Sequence, residues 1–243
     1  DIKNEVSDEQ FGYLTTSSSF HQTYRSTIFS NYIALREQLP FYKQRIAYSY
    51  LTNFVGKYVG SYSKATWIIS NISCSLILLI ISLQFYKRLE TPLFIFIPIL
   101  LGIFLISLSN SSTPDSLAAL ISLGGLLSFK SKKKFLSIFL ISILPIFRTD
   151  YIILSLIFSL YLLFKKNRYQ SIFILIISSA LYIFSNSFAS NYGYPTIFNS
   201  VFISGPVPFS KDMIISTSIF DYIKPYYKGI ITLINHSPFF ALI

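Results

Sequence analysis

Residues 116–150 read SLAALISLGGLLSFKSKKKFLSIFLISILPIFRTD. Two uncharged apolar runs, Ser116–Phe129 and Phe135–Phe147, are split by Lys130-Ser131-Lys132-Lys133-Lys134, and the second stops at Arg148-Thr149-Asp150. Apolar runs closed by lysine clusters are how helices are oriented in a bilayer, because lipid excludes charge and the cytoplasmic side collects Lys and Arg. More runs of this kind lie on either side. Ala65–Tyr86 closes with Lys87-Arg88, and Thr91–Ser109 carries Pro92 near its start and Pro98 as a kink. Tyr151–Phe164 closes with Lys165-Lys166-Asn167-Arg168, Ser171–Ser185 is the sixth run, and Ile230–Ile243 is placed to begin a seventh. At 1.5 Å per residue, Ala65–Tyr86 covers a hydrocarbon core of about 30 Å. The shorter runs reach only about 20 Å, so they draw flanking polar residues into the interface. The fourth and fifth runs either cross singly or form a re-entrant hairpin.

Composition agrees. Charged residues are 12% of the 243, against about 25% in soluble domains, and hydrophobic residues are 52%. With 18 Tyr and 24 Phe, a water-soluble globule would expose much of that surface. One cysteine, Cys74, cannot form an internal disulfide. The net charge of +10 belongs to the basic residues flanking apolar runs, and with no zinc-finger or RNA-recognition pattern nucleic acid is not an expected partner. The expectation is an all-α fold: a polytopic transmembrane helical bundle of six to seven spans over 65–243, after an extracytoplasmic segment over 1–64. A chain that starts at Asp1 and stops at Ile243 inside an apolar stretch is expected to be a fragment. It would lack an N-terminal signal-anchor helix and further C-terminal spans.

Placing Lys87-Arg88, Lys130–Lys134 and Lys165–Arg168 in the cytoplasm makes every intervening run cross once. Of ten acidic residues only Glu90 then lies inside; Asp1, Glu5, Asp8, Glu9, Glu37, Asp115, Asp150, Asp212 and Asp221 face outward. No apolar run contains a carboxylate, which argues against an ion-coupled transporter and for polar chemistry at the outer surface. In the first outer segment, Tyr42, Tyr48, Tyr50, Phe54, Tyr58 and Tyr62 alternate with Lys43, Arg45, Lys57 and Lys64. That pattern suits an amphipathic interfacial helix, with rings at headgroup depth and cations toward phosphates. Thr113-Pro114-Asp115 reads as a helix start, with Thr113 as N-cap and Pro114 at the first helical position.

An acidic pair before aromatics, Asp8-Glu9-Gln10-Phe11, precedes a Pro-aromatic stretch, Leu39-Pro40-Phe41, an amphipathic helix, a glycine and a full-length span. Together with Thr113-Pro114-Asp115-Ser116-Leu117 and Ile146-Phe147-Arg148-Thr149-Asp150, this order resembles the start of the GT-C superfamily of membrane glycosyltransferases over residues 7–170. The chain departs from the pattern in its Ser/Thr-rich stretch at 15–19 and in lacking His-Pro-Pro before the amphipathic helix. The resemblance implies a hexosyl- or pentosyltransferase at the extracytoplasmic face of a bacterial inner membrane. It would use a polyprenyl-phosphate-linked sugar as donor, with membrane lipids around it. Such transfer needs a base, for which Asp8 or Glu9 is the candidate, and positive charge on the departing phosphate. Arg148, Arg45 and Lys64 are candidates for the phosphate, Asp115, Asp150 and Tyr192 for support, and a divalent cation is one further source of positive charge. The other readings are a non-catalytic or flippase-like protein of polysaccharide export and an O-antigen-polymerase-like protein.

Chemistry outside this set is sparse. His21 and His236 stand alone, and Gly124-Gly125 reads as a site of close helix packing. In Asn186–Lys228, glycines and prolines mark turns, and Tyr192 and Tyr194 are placed to stack on a sugar.

Overall fold

The computed structural model describes residues 24–86, 105–110 and 113–236, except Arg25, Phe29, Ser107 and Pro206. Asp8 and Glu9, and most of the run Thr91–Ser109, lie outside the described residues. All regular structure among the described residues is helical. In chain order the helices are α1 (Tyr32–Lys43), α2 (Ile46–Val59), α3 (Tyr62–Tyr86), α4 (Asp115–Lys130) and α5 (Lys134–Ser142). They continue with α6 (Leu144–Phe147), α7 (Ile152–Phe164), α8 (Arg168–Ala189), α9 (Tyr194–Phe198) and α10 (Ile219–His236). The described residues fall into two compact units, one within 43–188 and one formed by those up to 42 with those from 189.

In the first unit, α2 folds back along α3. Gly60 ends α2 in the left-handed region (φ +76°), its N–H donating to the Gly56 carbonyl. A Cβ on Gly56 would come within 3.0 Å of the Tyr62 ring, so glycine permits the tight approach. The same polar first turn, Tyr62-Ser63-Lys64, lets α3 begin three residues before the expected Ala65. Helices α3 and α8 are long and apolar enough to cross a membrane. Only 28% and 22% of their apolar windows is buried, whereas the core helix of a soluble protein would be mostly covered. The expected run Ser171–Ser185 lengthens to α8 because its polar flanks, Arg168-Tyr169-Gln170 and Asn186-Ser187, are helical too.

The burial pattern is inverted relative to a soluble protein. Along α8, Ser171, Ile174, Ser178 and Ser185 are buried, while Ile172, Phe173, Ile176, Ile183 and Phe184 are exposed. Along α7, Ser155 and Ser159 are buried beside Phe158 and Leu162, with Ile153, Ile157, Leu160 and Phe164 outside. The small hydroxyls do the interhelical bonding. Ser171 donates to the Ser159 carbonyl at 2.8 Å, and the two hydroxyls are 2.8 Å apart. Gly125 admits the buried Ile141: a Cβ there would lie 2.8 Å from the isoleucine Cδ1. Small residues and serine bridges of this kind let helices approach closely and bond to one another.

Pro145 shapes the next feature. The expected single run Phe135–Phe147 is broken into α5 and α6, since a proline has no N–H and its ring collides with the carbonyl four residues back. That carbonyl, of Ile141, accepts a hydrogen bond from the Ser155 hydroxyl at 2.8 Å. The Ile146 N–H turns to the Ile143 carbonyl at 3.2 Å, and the Ser142 carbonyl accepts from Ser178 at 3.3 Å. Two carbonyls released by the break are thus satisfied by serines from α7 and α8, as buried backbone requires.

The two chain reversals at the lysine clusters are alike. Lys132 and Lys166 both adopt φ near +60°, at 61° and 60°. Lys132 and Lys133 N–H donate to the Phe129 and Ser128 carbonyls; Lys166 and Asn167 N–H donate to the Leu163 and Leu162 carbonyls. These are Schellman closures, with lysine where glycine is usual.

In the second unit, Gln38 is the staple. Its buried carboxamide donates to the Val207 and Pro208 carbonyls, both at 3.0 Å, and to Ser210 Oγ at 2.8 Å, and accepts from the Tyr24 hydroxyl at 3.0 Å. Burial, then the neighbouring Tyr42, pushes the Tyr24 phenol up to about 12.

Candidate functional site

Five helices of the 43–188 unit, α4 to α8, connect through the two lysine reversals and one corner. Helix α4 enters from Asp115 and leaves at Lys130; α5 and α6 return to Arg148; α7 departs and α8 comes back. The start of α4 and the Arg148 corner therefore share the end of the hairpins opposite the lysines. Their side chains meet there. Arg148 is ion-paired with Asp115, and its Nε donates to Asp150 Oδ2 at 3.1 Å. Arg148 and Asp115 are about equally half-buried, at 29% and 30% exposed, while Asp150 is 69% exposed.

The local backbone explains the meeting. After α6 the chain turns extended at Arg148 (φ −153°, ψ 117°), then winds through a 3-10 turn, Thr149–Tyr151, with the Tyr151 N–H on the Arg148 carbonyl at 3.1 Å. The extended residue sends its side chain across to α4 while its neighbour Thr149 is buried. Thr113 differs from expectation. The N-cap of α4 is Pro114, without a side-chain cap, and the Thr113 hydroxyl donates to Asp115 Oδ2 at 2.7 Å. The threonine orients the carboxylate that faces Arg148.

Under the corner runs a second, uncharged set. Thr149 donates to Gln44 Oε1 at 3.2 Å, which ties the start of α2 to the corner. Gln44 is 7% exposed, and its Nε2 has no hydrogen-bond partner among the described residues. A buried amide nitrogen left open is costly. Tyr48, one turn further on α2, is buried; burial raises its phenol, moderated by the Ser70 hydroxyl and the Arg45 guanidinium. Ser70 in turn reaches the Thr113 carbonyl at 3.5 Å.

Of the sequence-predicted residues, the structure brings Arg148, Asp115 and Asp150 together. Arg45 stands half-buried at the corner end of α2. Lys64 is exposed in the first turn of α3, just after the reversal that ends α2. Tyr192 belongs to the other unit, where its hydroxyl donates to the Glu37 carbonyl at 3.2 Å and its ring lies against Phe41. Burial and the Glu37 charge raise its phenol. Among the described residues no three His, Cys, Asp or Glu side chains converge to hold a metal. Gln44, Thr113 and Thr149 are the site residues that sequence reasoning missed. No family model, curated protein or solved structure matches the chain.

Proposed function

We propose that the chain is a polytopic membrane protein whose Arg148 corner faces the extracytoplasmic surface, and that it is a GT-C-like glycosyltransferase using polyprenyl-phosphate sugars. The inverted burial of α7 and α8 supports a lipid environment for the short helices as well as for α3 and α8. The observation that carries the enzyme reading is the Asp115–Arg148–Asp150 cluster, a guanidinium oriented on one side and openly countered on the other. Asp115, fixed by Thr113, holds the guanidinium in place. Asp150 is exposed enough to swing aside, and a phosphate oxygen takes its position on Arg148. Arg45 adds charge at the same end of α2. The acceptor hydroxyl attacks the anomeric carbon, the bond from that carbon to the phosphate oxygen breaks, and polyprenyl phosphate leaves with the electron pair. Asp8 takes the acceptor proton, with Glu9 beside it as the alternative.

The test uses the full chain in liposomes with a panel of polyprenyl-phosphate hexoses and pentoses, following release of polyprenyl phosphate. Release by the wild type, abolished in Asp8→Asn with Glu9→Gln and reduced at least tenfold in Arg148→Lys, is expected. Undiminished release by the acid double variant overturns the base assignment. Donor binding without release in the wild type favours the non-catalytic reading.

A further inference from the structure

Helix α10 has three distinct sides. Its start is pinned: Ser216 Oγ donates to Asp221 Oδ2 at 2.6 Å, and the Tyr222 hydroxyl donates to the Ser216 carbonyl at 2.9 Å. One side is docked. Tyr222 and Tyr226 stack on the buried Phe198 with centroids 5.3 and 5.7 Å apart, and the Tyr226 and Tyr194 hydroxyls are 3.1 Å apart. Beneath them a π-helical turn, Asn199–Ile203, buries Asn199, which donates to the Ile214 carbonyl at 2.9 Å and accepts from the Ser216 N–H at 3.3 Å. The segment before α10 is therefore locked to the turn that α10 packs on.

The adjoining side is apolar and open. Ile219, Phe220, Ile223, Tyr227, Ile230 and Ile231 are all exposed, Phe220 by 80%. At 100° per residue they fill a continuous arc of about 120°. Lys224 and Lys228, both exposed, stand together along one border of that arc. Among the described residues only α3 and α8 are both long and apolar enough to cross a membrane, and α10 carries Asp221, Lys224 and Lys228 in its first ten residues. A wide apolar stripe bordered by lysines, on a helix too polar to cross, is the pattern of a helix lying in the bilayer interface. Asp221 is already engaged by Ser216, so the charge left to recognise a surface is the lysine pair.

We infer that α10 is a membrane-surface helix whose apolar arc enters the headgroup boundary and whose Lys224 and Lys228 bind anionic phospholipid. Residues 230–236 are then the second half of this interfacial helix. The inference is independent of the transfer chemistry and rests only on the chain being embedded in lipid.

The experiment places single cysteines at Ile223, Tyr227, Ile230, Lys224 and Lys228 in a Cys74→Ser background of the full chain, reconstituted in phosphatidylcholine vesicles with or without one quarter phosphatidylglycerol. Spin labels at Ile223, Tyr227 and Ile230 are expected to favour oxygen over an aqueous nickel chelate at one common shallow depth. Labels at Lys224 and Lys228 are expected to favour the chelate. Depth that rises steadily from Ile223 to Ile230 means that α10 crosses, exclusion of both reagents from the stripe means that protein covers it, and chelate access on every side means that it is solvated; each overturns the inference. A fluorophore at Tyr227 should be quenched about twofold more by brominated phosphatidylglycerol than by brominated phosphatidylcholine, and Lys224→Gln with Lys228→Gln should remove the difference. Equal quenching in the unsubstituted background overturns the anionic-lipid assignment.

Discussion

The two ends of the helical hairpins in residues 113–188 handle charge in opposite ways. At one end, Lys130–Lys134 and Lys165–Arg168 place cations on two reversals, with no acid in either cluster and no ion pair to them among the described residues. At the other, Arg148 is countered by Asp115 and Asp150, and the neutral pair Thr149–Gln44 closes the corner underneath. The lysine reversals even keep Lys132 and Lys166 in left-handed backbone where glycine would sit more easily. An arrangement that accepts this cost has its turns selected for charge, whereas the corner is selected for geometry. The lysines are presented to solvent, whereas the corner guanidinium is held by its neighbours.

Removing the corner's cation gives the largest effect expected. Arg148→Met leaves two carboxylates facing each other's field, one of them half-buried, and should cost about 2–3 kcal/mol in urea unfolding of the detergent-solubilised chain. The exchange Arg148→Asp with Asp115→Arg should recover part of that loss. Equal stability of Arg148→Met and wild type would remove the distinction between the two ends. Next comes the proline break that builds the corner. Ser155→Ala should cost about 0.6–1.7 kcal/mol by stranding the Ile141 carbonyl, and much less in a Pro145→Ala background, where the carbonyl regains a backbone donor. A cost independent of Pro145 would show that the serine acts by packing alone. At the lysine end the sign reverses: Lys132→Gly or Lys166→Gly should stabilise by up to about 1 kcal/mol, because the left-handed strain is relieved. The same change at Arg148, whose φ is −153°, should not.

The smallest effect is a pH dependence at the corner's base. Burial raises the Tyr48 phenol, so the unfolded chain loses its proton first as pH climbs. The contribution is complete below pH 10, the ordinary phenol value, and falls as pH rises through the higher folded value. Tyr48→Phe should flatten the stability profile above pH 10 without changing it at pH 7. An unchanged slope above pH 10 in Tyr48→Phe would remove the phenol as its source.

Much of this was legible in the order of residues, and the reasons are physical. Lysine clusters between uncharged runs gave the helical hairpins, and the Thr-Pro-Asp and Arg-Thr-Asp segments fell on the same end because each run reverses the chain. The Gly124-Gly125 pair signals close helix packing, and Gly125 provides it against Ile141. Other features depend on which face a residue presents. Serines at 171, 178 and 185 look like ordinary polar interruptions until their seven-residue spacing is laid on a helix and found to form the buried seam. Pro145 was visible, but the donor that rescues its orphaned carbonyl, Ser155, lies across a corner no local pattern fixes. Gln44 carries no local signal among its charged and aromatic neighbours; only tertiary packing buries it beside Thr149. Thr113 looked like a cap by position, and the pull of Asp115 decided otherwise.

The most direct trial of the whole account labels single cysteines at positions 132, 150 and 166, in the Cys74→Ser background, with a membrane-impermeant maleimide on intact cells. Position 150 should react from outside at once, and positions 132 and 166 only after the membrane is permeabilised. Reaction of all three from the same side would contradict the account.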